Sequence, residues 1–428
     1  MTAGKFTDHL GRPIVAVTGM GVVTSLGQGI EDNWSALTAG KSGIHSITRF
    51  PIDKLSTTIA GTIDFVDVPS PIAVERSFAY ARDTAHEAIA QAGLSGDFQG
   101  PLFVAAPPVE PEWSLRFAVG DRVPEDQRNG NAYAQFLSVF RQQPDEHFWE
   151  SMLYGTVSER LADLFGTRGL PVTVSTACAS GATAIQLGVD AIRQGKAERT
   201  LVIGTDGSVS AESLIRFSLL SALSRQNENP EGASKPFSGD RDGFVMAEGG
   251  ATLVLETLES ALSRGAKVLG ILAGCKEKAD SFHRTRSSPD GGPAIATIKG
   301  ALADAGLHED GIDYINAHGT STPENDKMEY LALSGVFGDQ LTNIPVSSNK
   351  SMIGHTLTAA GAIEAVFSLM SIQTGTLPPT INYDNPDPAI PLDTIPNVKR
   401  DKPITSVLSS SFGFGGQNAC LVMTAEPA

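Results

Sequence analysis

Cys178 lies in Val172-Thr-Val-Ser-Thr-Ala-Cys-Ala-Ser-Gly-Ala182, where a β-branched run stops at a single thiol and small residues lead into a helical pattern. A thiol at the start of a helix meets the positive end of the macrodipole and unpaired backbone N–H groups, which lower its pKa and favour the nucleophilic thiolate. Ala177, Ala179, Ser180 and Gly181 leave room above the sulfur for a carbonyl, while Ala182, Ile185, Val189 and Ile192 mark one buried helix face. Free cysteines are more often inert core residues, so this segment alone leaves both roles open. His318 opens His-Gly-Thr-Ser-Thr-Pro after the short apolar stretch 312–317. His355 stands five residues after Lys350 in Ser348-Asn-Lys-Ser-Met-Ile-Gly-His355. Loops rich in Gly, Ser and Thr at the ends of rigid elements are where chains present groups to a ligand. One thiol and two imidazoles at three such ends favour a catalytic set over three unrelated side chains.

The elements that must position them alternate between β-like runs and amphipathic helical patterns, the mark of an α/β fold. Strands are expected at 201–204, 251–255, 268–272, 344–347 and 406–409, and helices at 77–92, 157–165, 179–194, 294–305 and 361–372. Cys275 and Cys420 stand in apolar strand-like runs and read as packing. The polar helix-like stretch 256–264 suggests a boundary near residue 260, giving a first half, 1–260, with Cys178 and a second, 261–428, with both histidines. Gly19-Met-Gly21 and Gly413-Phe-Gly-Gly416 look like nucleotide loops. However, residue 24 is Thr where a dinucleotide fingerprint has its third Gly, and the second lacks the Lys-Ser/Thr ending of a phosphate loop. Tight turns are expected at both.

Composition narrows the class. In 428 residues, 41% hydrophobic and 19% charged, the balance is that of an ordinary globular chain long enough for two to three domains. A net charge of −16 argues against a nucleic-acid partner. The longest apolar stretch, 359–372, is interrupted by Glu364 and is shorter than a bilayer span, and the first dozen residues are polar. A cytoplasmic chain without membrane insertion is expected. Three widely spaced cysteines with no CxxC pair speak against a zinc site or a disulfide framework.

Together, the motifs at 15–27, 175–181, 235–249, 318–326, 347–355 and 411–418 resemble the β-ketoacyl-acyl carrier protein synthases, in the branch with a Cys-His-His triad. The resemblance covers nearly the whole chain. It implies a thiolase-like fold of two similar halves stacked as five αβαβα layers, a homodimer, and a decarboxylating Claisen condensation without metal or redox cofactor. Cys178 would take the acyl group. The backbone N–H groups of Cys178 and Phe414 would bind the oxyanion, with Gly413 allowing close approach and Phe414 acting as gate. His318 and His355 would stabilise the enolate, Lys350 would pair with Glu364, and Thr320 and Thr322 would hold the phosphopantetheine arm of an acyl carrier protein. Asp240, Arg241, Asp242 and Glu248 read as an internal charge network.

The chain also departs from the family pattern. The family usually places Lys and Arg near a helix beginning around residue 72, whereas here only Arg76 and Arg82 are nearby. Residues 104–113 replace a Gly-Ser-Gly-x-Gly-Gly turn, the stretch to Trp149 matches poorly, and Ser410 and Gln417 stand where Asn and Thr are usual. An altered acyl pocket is therefore expected, serving a specialised long or modified chain. Three rivals remain: a degradative thiolase, which would want a second cysteine beside the C-terminal glycine loop; a polyketide ketosynthase with the same triad; and a non-catalytic chain-length partner, which typically lacks the nucleophile.

Overall fold

Strand β1 (Val15–Thr24) is buried along its whole length, as a strand covered on both faces must be. Gly19 and Gly21 lie inside it and not at the expected turn. A Cβ at Gly19 would stand 2.0 Å from the Ala88 carbonyl oxygen, and one at Gly21 2.1 Å from that of Thr84. The two glycines thus let helix α1 (Ala73–Gln91) lie directly on the sheet. The computed structural model describes residues 6–109 and 112–427.

Strands β1, β2 (Leu102–Ala105), β3 (Val172–Val174), β4 (Arg199–Asp206) and β5 (Gly249–Thr257) stand in the spatial order β3-β2-β4-β5-β1. Strands β6 (Gly270–Ala279), β7 (Tyr314–Asn316), β8 (Val346–Ser347), β9 (Ser406–Phe412) and β10 (Gln417–Thr424) stand in the order β8-β7-β9-β10-β6. Counted within its own set, each runs third, second, fourth, fifth, first. In both sets the third, second and fourth strands are parallel, and the fifth is antiparallel to its two neighbours. The chain passes from one set to the other through the short helix Leu258–Ser263, and a two-residue pairing of β1 with β6 joins the sets edge to edge.

Helices α1 and α2 (Thr156–Phe165) cover the outer face of the first set, and α3 (Ser180–Arg193) packs between the two sets. Helices α4 (Gly292–Ala305) and α5 (Pro323–Phe337) cover the outer face of the second set, and α6 (Ala360–Thr374) joins α3 in the middle. The result is five layers, αβαβα. Helix α6 is apolar around most of its circumference, which only burial on all sides accommodates. The stretch Leu357–Thr374 is long and apolar enough to cross a membrane by composition, but it is packed in the interior. Each strand and helix expected from the sequence exists, starting within four residues of its expected position.

The two middle helices touch at glycine. A Cβ at Gly181 would lie 2.5 Å from the Ala362 backbone nitrogen, and one at Gly361 2.6 Å from that of Ala182. This contact brings together the N-terminal ends of α3 and α6, just downstream of Cys178 and His355. The segment that departs from the family pattern folds as short helices, Trp113–Asp121, Ala132–Gln142 and Glu146–Ser151, around a small cluster of Val119, Val123, Val139 and Phe148. Glu110 and Pro111 of that segment lie outside the described residues.

Candidate active site

After β3 the backbone turns sharply. Ala177 adopts a left-handed φ of 50°, a costly conformation for a residue with a Cβ. Ser180 holds it: its Oγ accepts from the Thr176 N–H at 2.8 Å and donates to the Ala177 carbonyl at 2.6 Å. The turn lifts Cys178 to the entrance of α3. The glycine loop between β9 and β10 closes over it, with the Gly413 N–H bonded to the Gln417 carbonyl at 2.7 Å. A Cβ on Gly413 would stand 2.9 Å from the Thr176 carbonyl oxygen and 3.2 Å from the Cys178 backbone nitrogen, so only glycine leaves that N–H open. The Phe414 N–H bonds to the Cys178 sulfur.

His355 is fixed through its backbone, its N–H donating to the Val245 carbonyl at 2.7 Å and its carbonyl accepting from the Ala247 N–H at 2.9 Å. Its Nδ1 accepts from the Leu357 N–H at 3.3 Å, which leaves the proton on Nε2. That atom is buried and has no hydrogen-bond partner among the described residues. His318 follows β7, and its backbone N–H and that of Gly319 donate to the buried Glu329 carboxylate at 2.8 and 2.7 Å. The Lys350 ammonium stands 3.4 Å from its Nδ1. An ammonium only donates, so the His318 proton also lies on Nε2. The two rings meet edge to face with centroids 5.3 Å apart, and Phe244 and Phe412 pack against them. The Cys178 sulfur and one nitrogen of each ring lie within 4.8 Å of one another.

Burial sets the electrostatics. Desolvation holds both imidazoles well below 6.5, with Lys350 adding to the effect, so the rings are neutral N–H donors near pH 7. Desolvation also pushes the Cys178 thiol up to about 11, against the Lys350 charge and the Phe414 N–H. This overturns the expectation of a lowered thiol pKa: part of the residue faces the cleft, but the rings and the glycine loop take away more hydration than the helix end restores. Lys350 bonds to Glu364 in a buried pair, and burial raises the Glu364 carboxyl to about 7 against that cation. Sulfur and imidazoles form a donor set a soft cation would fit, but the Lys350 ammonium beside one ring opposes a divalent charge.

Thr320 and Thr322 line the same cleft. Their hydroxyls bond to each other at 2.9 Å, and Thr322 also caps α5 through the Asn325 N–H.

Residues 13–261 match the family described as beta-ketoacyl synthase, N-terminal domain, and residues 269–384 match its C-terminal domain. The chain belongs to the β-ketoacyl synthase family. The enzyme is 37% identical to 3-oxoacyl-[acyl-carrier-protein] synthase 2 of Synechocystis, over 96% of this chain and 98% of that relative. It is 34% identical to the tetracenomycin polyketide synthase ketoacyl synthase alpha subunit of Streptomyces glaucescens, over 97% and 98%. Among solved structures it is similar to a β-ketoacyl synthase from Burkholderia phymatum, with TM-score 0.82, 30% identity and coverage of 96% and 99%. It is also similar to a type II polyketide ketosynthase in complex with its acyl-carrier protein, with TM-score 0.86, 31% identity and coverage of 97% and 100%.

Several residues of the enzyme escaped the sequence reading. Glu329 and Asp326 are buried carboxylates on the packed face of α5, pushed up by desolvation to about 7 and about 6. An acid among Met328, Ala332 and Leu333 is the signal that could have exposed Glu329. Asp206, at the end of β4, accepts from the Thr358 N–H and hydroxyl at 3.2 and 2.7 Å and so ties the loop after His355 to the first half. The expected single charge network is divided: Asp240 pairs with Lys235 at the surface, and Asp242 accepts from the Arg225 N–H at 3.1 Å and the Gln226 side chain at 3.2 Å. Glu248 gathers Arg49, Arg76 and Tyr80, while Arg241 pairs with Asp387 and Asp326. Arg76 is thus buried and Arg82 pairs with Asp83, so neither is a free cation on the helix where the family places its basic residues.

Proposed function

We propose that the enzyme performs a decarboxylating Claisen condensation, extending an acyl thioester by two carbons, with both substrates carried on the phosphopantetheine arm of an acyl carrier protein. The observation that carries this reading is the unpartnered, buried Nε2–H of His355 beside a thiol and a second imidazole. Sulfur of Cys178 attacks the acyl thioester, the carrier thiol leaves with the displaced proton, and the tetrahedral oxyanion is met by the N–H groups of Cys178 and Phe414. A malonyl thioester then enters. Its carboxylate departs as carbon dioxide, the electron pair of the broken bond forms an enolate, and the enolate oxygen takes hydrogen bonds from His318 and His355. Each such donor is worth roughly 3 kcal/mol in the transition state. The enolate carbon attacks the acyl carbonyl, the bond to sulfur breaks, and the thiol recovers a proton.

These steps balance without a metal or an electron carrier, so turnover survives chelator treatment. Two further features belong to the same reading. Among the described residues, edge strand β3 pairs only with β2, and its first residue Val172 and the nearby Leu170 are exposed, which suits a homodimer formed across this edge. The distinct segment 106–155 suits a specialised long or modified acyl chain. The test is mass spectrometry of Cys178 after exposure to a panel of acyl carriers, followed by malonyl carrier. An acyl adduct that converts to a β-ketoacyl product supports the reading, and absence of any adduct with an intact thiol defeats it.

A further inference from the structure

Exposure along the cleft rises from the buried His318 and His355 to a rim formed by the loop 281–288, where Arg284 and Arg286 are exposed. Asp280 closes this loop, its two carboxylate oxygens accepting from the Phe282 N–H at 2.9 Å and the Ser288 N–H at 2.7 Å. The Thr285 N–H bonds to the His283 ring at 3.2 Å. Two backbone bonds join the loop to the glycine turn over Cys178: the Arg284 carbonyl accepts from the Gly415 N–H at 2.8 Å, and the Gly416 carbonyl accepts from the Asp280 N–H at 2.7 Å. The backbone is therefore held from within, and two guanidinium groups two residues apart project from a fixed frame.

Neither guanidinium has an ion pair or side-chain hydrogen bond among the described residues, although the chain carries 48 acidic and 32 basic residues. Arg49, Arg76 and Arg241, by contrast, are all engaged by buried carboxylates. Glu324 is the carboxylate in the cleft lining, and it pairs with neither. Two unpaired guanidinium forks at the mouth of a narrow cleft suit a small, compact anion approached in the cleft, because the planar fork matches phosphate oxygens bidentately.

We propose that Arg284 and Arg286 form the receptor for the phosphodiester of the carrier's arm, making them the residues that distinguish a phosphorylated arm from an uncharged thioester. This rests on the condensation reading above. The test compares an acyl-phosphopantetheine thioester with the dephosphorylated acyl-pantetheine thioester, scoring acylation of Cys178 by mass. The wild-type chain is expected to prefer the phosphorylated substrate by about tenfold or more in kcat/KM. In Arg284→Ala/Arg286→Ala that preference disappears while the rate with acyl-pantetheine stays within about twofold, and Arg284→Lys/Arg286→Lys retains part of it.

Equal slowing of both substrates would mean that the loop only braces the glycine turn, and would overturn the proposal. So would a preference that survives the double alanine change, or a penalty that appears only with the whole carrier protein, which would assign the arginines to acidic groups of the protein instead. If the wild type acylates from both thioesters without preference, this inference fails and the condensation stands. If it acylates from neither, both fail.

Discussion

His355→Asn separates donation from scaffolding. In the native chain the ring does two things: Nδ1 accepts from the Leu357 N–H at 3.3 Å, and the Nε2 proton is left unpartnered. An asparagine oxygen can take the Leu357 N–H, and the backbone bonds to Val245 and Ala247 remain, but nothing reaches the former position of Nε2. Loss of one preorganised donor to a developing oxyanion costs roughly 3 kcal/mol, or about a hundredfold to a thousandfold in rate. That loss is expected in carbon dioxide release from malonyl carrier. Transfer of the acyl group to Cys178 uses backbone N–H groups instead and is expected to stay within about tenfold of wild type. His355→Gln, which returns an N–H near the vacated position, recovers part of the decarboxylation rate. The assay follows labelled carbon dioxide and, separately, the Cys178 adduct. Equal loss in both half-reactions, or a glutamine variant no better than asparagine, refutes the assignment.

Lys350→Met leaves the Glu364 carboxyl buried without its cation, a loss of roughly 3–5 kcal/mol, whereas Lys350→Met/Glu364→Leu is expected to recover stability but not decarboxylation. Glu364 is raised above its ordinary 4.5 to about 7, so the folded state binds the extra proton and stability falls as pH rises across that window. The single variant is accordingly less penalised at pH 5.5 than at pH 8, as urea midpoints will show, and a double variant as weak as the single would refute it. Gly181→Ala and Gly361→Ala each force a methyl against backbone nitrogen and should cost roughly 1–3 kcal/mol and slow turnover. The control Gly195→Ala, at φ +67° with open space around it, should lose stability alone. Because the Cys178 thiol is raised to about 11, its alkylation by iodoacetamide should accelerate about tenfold per pH unit between pH 7 and 10, with Cys275 and Cys420 unlabelled. A rate that levels off near pH 8 contradicts the burial account.

What could be read before folding was whatever repeats along the chain. Helices α3 and α6 announce themselves through apolar spacing and small residues, and Cys178, His318 and His355 through motifs at element ends. The contacts that make them one site were not legible, because they join partners far apart in sequence. Gly181 and Gly361 look like ordinary small residues until their helices cross, and Gly19 and Gly21 look like a turn until α1 lies on them. The thiol pKa went the wrong way for the same reason. A helix end is a local feature visible in sequence, whereas desolvation by Phe244, Phe412 and the glycine loop exists only after folding. Arg76 likewise reads as a surface cation until Glu248 is brought against it.

The matching strand order of the two halves has an outcome of its own. Cys178 and His355 both follow the third strand of their set, and each lies ahead of a middle helix. After the second strand, however, the symmetry breaks: one half places His318 there, and the other inserts residues 106–155. Among the described residues, none of 106–155 lines the cleft that holds Cys178, His318 and His355. The stretch gathers around its own small cluster of Val119, Val123, Val139 and Phe148, so exchanging those fifty residues leaves the side chains that line the cleft in place.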